Sequence, residues 1–478
     1  MPATPDRPNI VSILTDDQGP WALGCSGNPE IRTPNLDRLA RRGVYFENFF
    51  CTSPVCSPAR ASVMTGRIPS QHGVHDWIRG GNMPPDTARY LEGQTCYTDI
   101  LAANGYTVGL SGKWHLGDSL APQHGFSHWF TIPIGSGPYN DPTMIRNGQT
   151  QEHTGYITDI ITDDAIAFVN ENREGPFYLS LHYTAPHSPW EGHPQDIVDS
   201  YDDCPFESCP QEPQHPYARA GLLPHLGNRE SLKQYFAAVT AMDANVGRLM
   251  DALDEAGLRE NTLVIFMADN GFSCGHHGYW GKGNGTLPMN MYENSVKVPA
   301  IVSHPGRVVE GVTSSAMVNQ YDVFPTLLEY LGLPPTNDDT MPGVSFLPVL
   351  TGKADEVREN VVIYEEYGPV RMIRTREWKY IHRYPYGPHE LYDLANDPGE
   401  RRNLIDDESQ QARIAEMRKD LTDWFARYVV PERDGARMPV AGDGQKTPIG
   451  EGRPGAEAFY PPFRPMADPW RDGGGGSG

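Results

Sequence analysis

Three short and almost wholly apolar runs most constrain how this chain can fold. They are IVSIL at 10–14, YLSLH at 178–182 and LVIFM at 263–267. A strand with one face in water would alternate apolar and polar residues, so these runs indicate strands that are buried on both faces. Strands of that kind are typical of a parallel sheet covered by helices on both sides. The runs therefore predict an α/β fold.

A strong helical pattern lies between the last two of these runs. Over residues 231–256 apolar residues recur three and four positions apart, and Gly257 follows where a helix would end. Apolar runs and helical patterns alternate in this way up to about residue 330. This alternation predicts a large, mixed, mostly parallel sheet sandwiched by helices. The apolar positions of the helical pattern are Leu232, Phe236, Val239, Met242, Val246, Leu249 and Leu253.

The pattern changes after about residue 365. Met372–Arg374, Trp378–Ile381 and Glu390–Asp393 predict short antiparallel strands, and a helix is predicted over Ser409–Tyr428. Together they predict a smaller C-terminal α+β domain with a short antiparallel sheet and one helix.

These predictions divide the chain into a large domain, a small domain and a tail. The large α/β domain covers residues 1–365, and the small domain covers 366–431. Residues 432–472 are rich in Pro, Gly and Arg and have no periodicity, which indicates either a disordered tail or an extended arm packed on another surface. The final GGGGSG at 473–478 resembles a flexible linker and is left out of the fold.

Charge and hydropathy limit the partners of the protein. The chain has 39 basic and 61 acidic residues and a net charge of -22, which opposes binding to nucleic acid and long polyanions. It contains no apolar run of about 18 residues, so we expect no membrane span. The opening residues lack the basic and apolar segments of a signal peptide, which predicts a cytoplasmic protein.

The cysteines do not predict a disulfide framework. Their number is seven, which is odd, and most of them are scattered along the chain. Cys204 and Cys209 lie five apart in a Pro-rich loop, where a local bridge and two free thiols are the alternatives. No CxxC pair suggests structural zinc.

Polar residues follow two of the three apolar runs at the point where each strand would end. Asp16 and Asp17 follow the first run, and Asp269 and Asn270 follow the third. Ligands gather at the carboxyl ends of parallel strands, and hard cations prefer oxygen ligands. Asp16 and Asp17 alone would fit a helix cap or a turn. Together with Asp269 and Asn270 they favour a metal site.

The stretch from Cys51 to Val74 contains a cysteine in the setting C-S-P-A-R. Cys56 with Arg60 four residues on fits a thiolate nucleophile near a cation. It also fits a buried cysteine in a turn that opens a helix, and by itself the pattern favours this second interpretation.

CSPAR at 56–60 and MTGR at 64–67 together resemble the signature of the sulfatase family. Six further segments agree with that family in order and spacing. Two departures stand out: Ala59 replaces the usual serine, and residues 284–291 lengthen the step to Tyr292-Glu293. The six segments are PNIVSILTDDQ at 8–18, GKWHLG at 112–117, TAPHSP at 184–189, MADNG at 267–271, GKG at 281–283 and ELYDLANDPGERRNL at 390–404.

The resemblance implies a type I sulfatase of the alkaline phosphatase superfamily. In that family a formylglycine-generating enzyme oxidises the cysteine, which here is Cys56, and the hydrated aldehyde attacks a sulfate ester. The metal positions of the family match Asp16, Asp17, Asp269 and Asn270, and position 56 supplies a further ligand. The implied cation is Ca²⁺, with Mg²⁺ and Mn²⁺ as alternatives.

The resemblance also implies a catalytic role for five other residues. Arg60 would hold and activate the modified group, and Lys113 and Lys282 would bind sulfate oxygens. His115 matches the base that regenerates the aldehyde. His187 matches the donor of a proton to the leaving oxygen, with Lys282 assisting and His187 also binding substrate.

The organic part of the substrate is less constrained by the sequence. His277 lies five residues before Lys282, and Trp190 lies three residues after His187. Both are predicted to contact the substrate, with loop packing as the alternative. The expected substrate is a small sulfated molecule, either a carbohydrate or an aryl sulfate.

The sequence also suggests two alternative functions and one assembly. A phosphonate monoester or phosphodiester hydrolase would use the same residues on a group of similar shape. A catalytically silent binding protein would have lost a metal ligand or a base, whereas this chain retains them. The Pro- and Arg-rich tail further suggests a homo-oligomer in which the tail crosses to a neighbouring subunit.

Overall fold

The computed structural model describes residues 7–336, 338–358, 362–450 and 455–461. Within these ranges no helix is both long enough and apolar enough to span a membrane. The strands in chain order are β1 (Asn9–Thr15), β2 (Val44–Phe50), β3 (Thr107–Gly112), β4 (His128–Thr131), β5 (Thr143–Arg146), β6 (Gln149–Glu152), β7 (Phe177–His182), β8 (Thr262–Ala268), β9 (Ser273–Cys274), β10 (Trp280–Gly281), β11 (Lys297–Ser303), β12 (Val312–Asn319), β13 (Ile363–Tyr367), β14 (Val370–Arg374), β15 (Trp378–Arg383) and β16 (Glu390–Asp393).

The α-helices are mostly short and connect these strands. They are α1 (Pro34–Arg41), α2 (Cys56–Thr65), α3 (Pro69–His72), α4 (Tyr97–Ala103), α5 (Ile157–Glu171), α6 (Gln195–Asp199), α7 (Arg229–Glu255), α8 (Glu293–Val296), α9 (Val323–Tyr330), α10 (Leu347–Leu350) and α11 (Gln411–Tyr428).

The large sheet has ten strands in the order β12-β2-β11-β8-β1-β7-β3-β4-β5-β6. β1 pairs in parallel with both β7 and β8, and β3 continues the parallel set beside β7. Antiparallel pairs join β11 to β8 and β5 to β4 on either side. The sheet is therefore mixed and mostly parallel at its centre, as the sequence predicts.

The apolar side chains of β1 show why its run is continuous. Ile10 and Leu14 belong to a cluster on one face of the sheet, while Val11 and Ile13 belong to a cluster on the other. Alternate residues of a strand point to opposite faces, so a strand covered on both sides needs apolar residues at nearly every position. The same account holds for β7 and β8, and the predicted α/β fold is confirmed.

The predicted helix over 231–256 is observed as α7, which begins two residues earlier at Arg229. The side chain of Asn228 accepts hydrogen bonds from the backbone N–H groups of Glu230 and Ser231, which fixes this start. The apolar positions predicted for one face of this helix are all buried, in the same cluster as Val11 and Ile13 of β1.

The small sheet is antiparallel and has the order β13-β14-β15-β16. Helix α11 packs on it through Leu421 and Phe425, against Ile373 and Tyr380 of the sheet. The sequence analysis missed β13, which lies on both sides of residue 365 and pairs with β14. Its sequence, IYEEY, has two adjacent glutamates and lacks a clear strand pattern.

The described part of the tail packs on the large domain of its own chain. The N–H of Arg79 donates to the carbonyl of Gln445 at 2.9 Å, and Gln445 itself is buried. Of the two structures expected for the tail, residues 432–450 therefore form the packed arm. Residues 451–454 and 462–478, which include the GGGGSG linker, lie outside the described residues.

The seven cysteines are all free thiols. Burial and the neighbouring Cys209 raise the pKa of the Cys274 thiol on β9 well above its ordinary value. Of the two alternatives for Cys204 and Cys209, the structure therefore has the pair of free thiols.

The last residue of β3 should be restricted to glycine. Gly112 has φ 114°, and a Cβ there would lie 1.9 Å from the carbonyl oxygen of His182. We expect Gly112→Ala to lower the free energy of unfolding by about 3–5 kcal/mol, because it combines backbone strain with an overlap in a packed core. Unfolding in urea, followed by circular dichroism, measures this change.

Gly27 provides a matched control because it has φ 95° with no heavy atom within 4 Å of its Cβ position. Gly27→Ala isolates the backbone strain, which costs about 1–2 kcal/mol. Equal losses in the two variants would contradict the importance of the His182 contact.

Candidate active site

The carboxyl ends of the central parallel strands meet at one edge of the large sheet. Hydrogen bonds hold the segments together just beyond the strands. The N–H of Asp16 donates to Ala185 O at 3.1 Å, that of Asp269 to Thr15 O at 2.9 Å, and that of Lys113 to His182 O at 2.8 Å. Residues far apart in sequence therefore lie side by side at this edge, which the sequence predicted for Asp16 and Asp269.

Cys56 occupies the first position of α2 and faces this edge. It is only 1% exposed. Its Sγ lies 3.2 Å from Asp16 Oδ1, and the ammonium group of Lys282 donates to Sγ at 2.8 Å. Burial, together with the neighbouring Asp16 carboxylate, raises the pKa of the Cys56 thiol to about 12. Because the thiolate is the reactive form of cysteine, the unmodified side chain is a weak nucleophile here.

Three carboxylates converge beside Cys56. Oxygen atoms of Asp16, Asp17 and Asp269 all lie within 4.8 Å of one another, and the three residues are buried. Asn270 donates from Nδ2 to Asp17 Oδ1 at 2.8 Å, while its own buried Oδ1 has no hydrogen-bond partner among the described residues. An unpartnered amide oxygen beside three carboxylates is a donor set that fits a hard divalent cation. The predicted metal residues are thus brought together.

Three basic side chains neutralise these carboxylates. Lys113 forms an ion pair with Asp16, and Lys282 forms one with Asp17. The guanidinium of Arg60 lies 2.9 Å from Asp269 Oδ2 and 3.9 Å from Asp16 Oδ2. Buried charges need such partners because they have lost their hydration.

The charges act differently on the pKa values of two neighbouring carboxyls. Burial would raise the pKa of Asp16, but Lys113, followed by His187 and Arg60, holds it well below the usual range. Burial and the nearby Asp16 carboxylate raise the pKa of Asp269 to about 7. Crowded carboxylates repel one another, and a bound cation would relieve this repulsion.

His115 is held in a constrained position near Cys56. It adopts a left-handed φ of 56°, and its Nε2 lies 2.9 Å from Ile78 O. Its ring lies so close to Gly135 that a Cβ there would be 2.2 Å away. Burial and the Lys113 charge lower the pKa of His115 well below its ordinary value. The imidazole is therefore neutral, and its Nδ1 has no hydrogen-bond partner among the described residues.

His187 lies close to Asp16 and Cys56. Its Nε2 is 3.7 Å from Asp17 Oδ2. Burial lowers the pKa of His187, and Asp16 and Asp17 act in the opposite direction. His187 is thus placed to exchange a proton with a group bound beside Cys56.

A cavity of about 370 Å³ opens onto these groups. Sequence analysis predicted four of its lining residues, namely Cys56, His115, His187 and Lys282. It missed the others, which come from loops with ordinary composition. The only sequence signal for these missed residues was a tryptophan and an arginine close together in a loop, in the sequence HDWIRG. The missed residues are Trp77, Ile78, Arg79, Asn82, Ile134, Gly135, Ser136 and Asn284.

Among the described residues, the cavity lining includes neither His277 nor Trp190. The His277 ring stacks on Tyr292 with centroids 3.9 Å apart, and its Nδ1 lies 3.1 Å from Arg401 Nη1. Trp190 packs edge-on against Trp280 with centroids 5.2 Å apart. Both side chains have packing partners, so their predicted contact with substrate stays a prediction.

Models of known families match almost the whole described chain. The family model described as Sulfatase matches residues 8–333. A second model, described as N-sulphoglucosamine sulphohydrolase, C-terminal, matches residues 275–427.

Individual relatives match over most of their length. The N-acetylglucosamine-6-O-sulfatase of Bacteroides thetaiotaomicron is 28% identical, and the match covers 87% of this chain and 85% of that protein. Human arylsulfatase A is 31% identical, with 83% of each chain covered. A solved structure of a protein in complex with its substrate, D-glucosamine-2-N,6-O-disulfate, has a TM-score of 0.75 and 27% identity. That match covers 88% of this chain and 98% of that one.

Arg60 should be needed for stability when no divalent cation is bound. Removal of the Arg60 guanidinium leaves the buried Asp269 carboxylate without its ion-pair partner. Breaking a buried ion pair in this way costs about 3–5 kcal/mol. We expect Arg60→Met to lower the free energy of unfolding by this amount in urea melts with chelator present.

Arg38→Met is the matched control. Arg38 forms an exposed ion pair with Asp251 at 3.1 Å, and its loss should cost no more than about 1 kcal/mol. A loss for Arg60→Met as small as that of the control would contradict the charge balance described above.

Proposed function

Because the chain belongs to the sulfatase family and is a hydrolase of sulfate esters, we propose that Cys56 is its formylglycine precursor and that its substrate is a carbohydrate sulfate. The observation that carries this proposal is the surroundings of the Cys56 side chain. Lys282 lies 2.8 Å from Sγ, Asp16 lies 3.2 Å from it, and the thiol is protonated near neutral pH. The proposed catalytic groups therefore converge on Cys56 Sγ, although this sulfur is unreactive while it is a protonated thiol.

Formylglycine, when hydrated, supplies a hydroxyl nucleophile at this position. Conversion of Cys56 has to precede folding, because the folded chain exposes only 1% of the residue. The formylglycine-generating enzyme would therefore act on the unfolded chain, where Pro58 and Arg60 are also accessible. In the folded protein Arg60 is 1% exposed and points its Nη1 at Lys113 O at 3.1 Å. Its buried Nη2 makes no hydrogen bond among the described residues, so this group could hold the modified side chain.

Asp16, Asp17, Asp269 and Asn270 would hold the divalent cation, with Ca²⁺ as the proposed ion. A cation here supplies positive charge to sulfate oxygens and to the nucleophile. The unpartnered Oδ1 of Asn270 and the three convergent carboxylates support this assignment. Lys113 and Lys282, which pair with the carboxylates, would turn toward sulfate oxygens once the cation balances the acidic charge.

The two histidines and Lys282 would divide the proton transfers. His115 is neutral, with an unpartnered Nδ1, so it is prepared to accept a proton from position 56. The acidic neighbours hold the pKa of Lys282 well above its ordinary value against the effect of burial, so its ammonium group stays charged. An anionic sulfate bound beside His187 would raise the pKa of this histidine and favour proton donation to the leaving oxygen.

The cavity supports a sugar as the organic part of the substrate. Its volume of about 370 Å³ lies in the lower part of the range for small-molecule sites and fits a monosaccharide. Trp77 in its lining offers an aromatic face of the kind on which sugar rings stack. A curated relative is named as an N-acetylglucosamine-6-O-sulfatase, and a similar solved structure holds a sulfated glucosamine as its substrate.

Substitution of Cys56 tests the nucleophile. We expect Cys56→Ala to lower kcat/KM on sulfate esters at least about 1000-fold, because no other described nucleophile replaces it. In protein made with the maturing enzyme, intact mass should be about 18 Da below that of the cysteine form. Active protein that retains an unmodified Cys56 would contradict the proposal.

Side-by-side rates separate this function from the related hydrolases. Matured protein is assayed on a sulfated sugar, an aryl sulfate, a phosphodiester and a phosphonate monoester. The highest kcat/KM is expected for the sulfated sugar. A hundredfold preference for the phosphonate would show that this chain is specialised for phosphonates, and a preference for the aryl sulfate would reject the carbohydrate.

Thermal melts test the cation site independently of activity. After chelation, added Ca²⁺ at 100 times its Kd should stabilise the protein by about 2.7 kcal/mol, because the cation binds only the folded chain. Asp17→Asn should abolish this shift, since it removes one ligand. The exposed Asp251→Asn is the control and should retain the shift. Equal shifts in both variants would place the cation elsewhere.

A further inference from the structure

An arginine with no role in the proposed catalysis lies at the mouth of the cavity. Arg79 lines the cavity together with Trp77, and its side chain is exposed. Its guanidinium carbon lies 4.4 Å from the centroid of the Tyr460 ring and 5.8 Å from that of Trp77. A guanidinium over an aromatic ring keeps its N–H donors at its edge. Among the described residues these donors have no hydrogen-bond partner, so they are available to a ligand in the cavity.

The packed tail fixes the backbone that carries Arg79. Gln445 O accepts from the N–H of Arg79 at 2.9 Å, and Gly442 O accepts from Trp77 Nε1 at 3.1 Å. Gly444 lies so close that a Cβ on it would be 2.9 Å from Arg79 Cβ. Arg79 is thus held at the mouth by contacts on both sides, which reduces the entropy lost when it binds a ligand.

No carboxylate neutralises Arg79 among the residues that the structure describes. The acidic residues next to Trp77 and to Gly444 in sequence are already engaged. Asp443 pairs with Arg219 at 2.9 Å, and Asp76 accepts from the hydroxyl of Tyr367 at 2.7 Å. Lys446 adds a second positive charge, 4.7 Å from the Tyr460 centroid. The mouth is therefore locally cationic although the chain has a net charge of -22.

We propose that Arg79 is a specificity-determining residue that binds a second anionic group of the substrate. The sulfate to be cleaved lies at Cys56 and Lys282, and the second anion, a carboxylate or another sulfate on the sugar, lies at the mouth. The planar fork of the guanidinium matches either anion with two hydrogen bonds. This inference rests on the proposed carbohydrate sulfatase function and narrows the substrate to a sugar with at least two negative charges.

Kinetics on matched substrates test the role of Arg79. The full-length matured protein is assayed on N-acetylglucosamine 6-sulfate, on glucosamine 2-N,6-O-disulfate and on a 6-sulfated disaccharide that contains a uronic acid. For the parent protein, kcat/KM should be at least tenfold higher on one of the two doubly charged sugars than on the singly charged one. The favoured sugar identifies the second anion as sulfate or carboxylate.

Arg79→Gln should reduce this preference at least tenfold, mainly through a higher KM for the doubly charged sugar. Arg79→Lys should give an intermediate preference, because it keeps the charge and loses the fork. Arg437→Gln is the control, since Arg437 lies outside the cavity lining with 76% of its side chain exposed. It should keep the preference of the parent.

The outcomes distinguish a failure of the Arg79 proposal from a failure of the proposed function. If the parent protein prefers the singly charged sugar, or if Arg79→Gln keeps the parent preference, the role of Arg79 is rejected while the sulfatase function stands. If Arg79→Gln loses the same factor on all three sugars, Arg79 has only a structural role. If the parent hydrolyses none of them, the carbohydrate substrate and the role of Arg79 both fail.

Discussion

The charge balance at one edge of the sheet is the constraint on which the rest of the site depends. Asp16, Asp17 and Asp269 lie in a protein interior where their mutual repulsion is poorly screened. The fold tolerates them because Lys113, Lys282 and Arg60 reach the same point from three other segments. The carboxyl ends of β8, β1 and β3 supply four of these six residues. Parallel strand order thus decides which charges meet.

The sequence predicts the site best where polar residues directly follow an apolar strand. Asp16 and Asp269 follow runs buried on both faces, and parallel pairing of β1 with β8 aligns those ends, so their meeting could be predicted. The small-domain strands β14–β16 and helices α7 and α11 were also predictable, because their patterns are local. The roles of Cys56 and the two histidines came from family resemblance, since a lone cysteine with a nearby arginine has several explanations.

The remaining features depend on contacts that no local pattern encodes. Trp77 and Arg79 reach the cavity because residues 442–445 pair with their backbone more than 350 residues later in the chain. His277 lies five residues before Lys282 in sequence, and its predicted contact with substrate stays a prediction. Its ring stacks on Tyr292, and its φ of 55° is left-handed. Short sequence separation does not fix the direction of a side chain in an irregular loop.

The small domain steadies the segment that carries Lys282. Glu293 follows the lengthened loop and pairs with Arg374 of β14 at 3.0 Å and with Lys379 of β15 at 2.7 Å. Lys379 also donates to Met291 O at 2.9 Å and pairs with Glu400. These buried contacts fix the far end of the loop, so the antiparallel sheet supports the position of Lys282, which it does not contain.

The packed tail has a consequence for how the enzyme can diversify. The three carboxylates lie at the ends of central strands, whereas residues 442–445 hold the segment of Trp77 and Arg79, which line the cavity. Substitutions at 440–446 can shift Trp77 and Arg79 without disturbing the carboxylates, because the two sets share no ion pair in the described residues. The segment that positions Trp77 and Arg79 can therefore change while the charge balance at the strand ends stays the same.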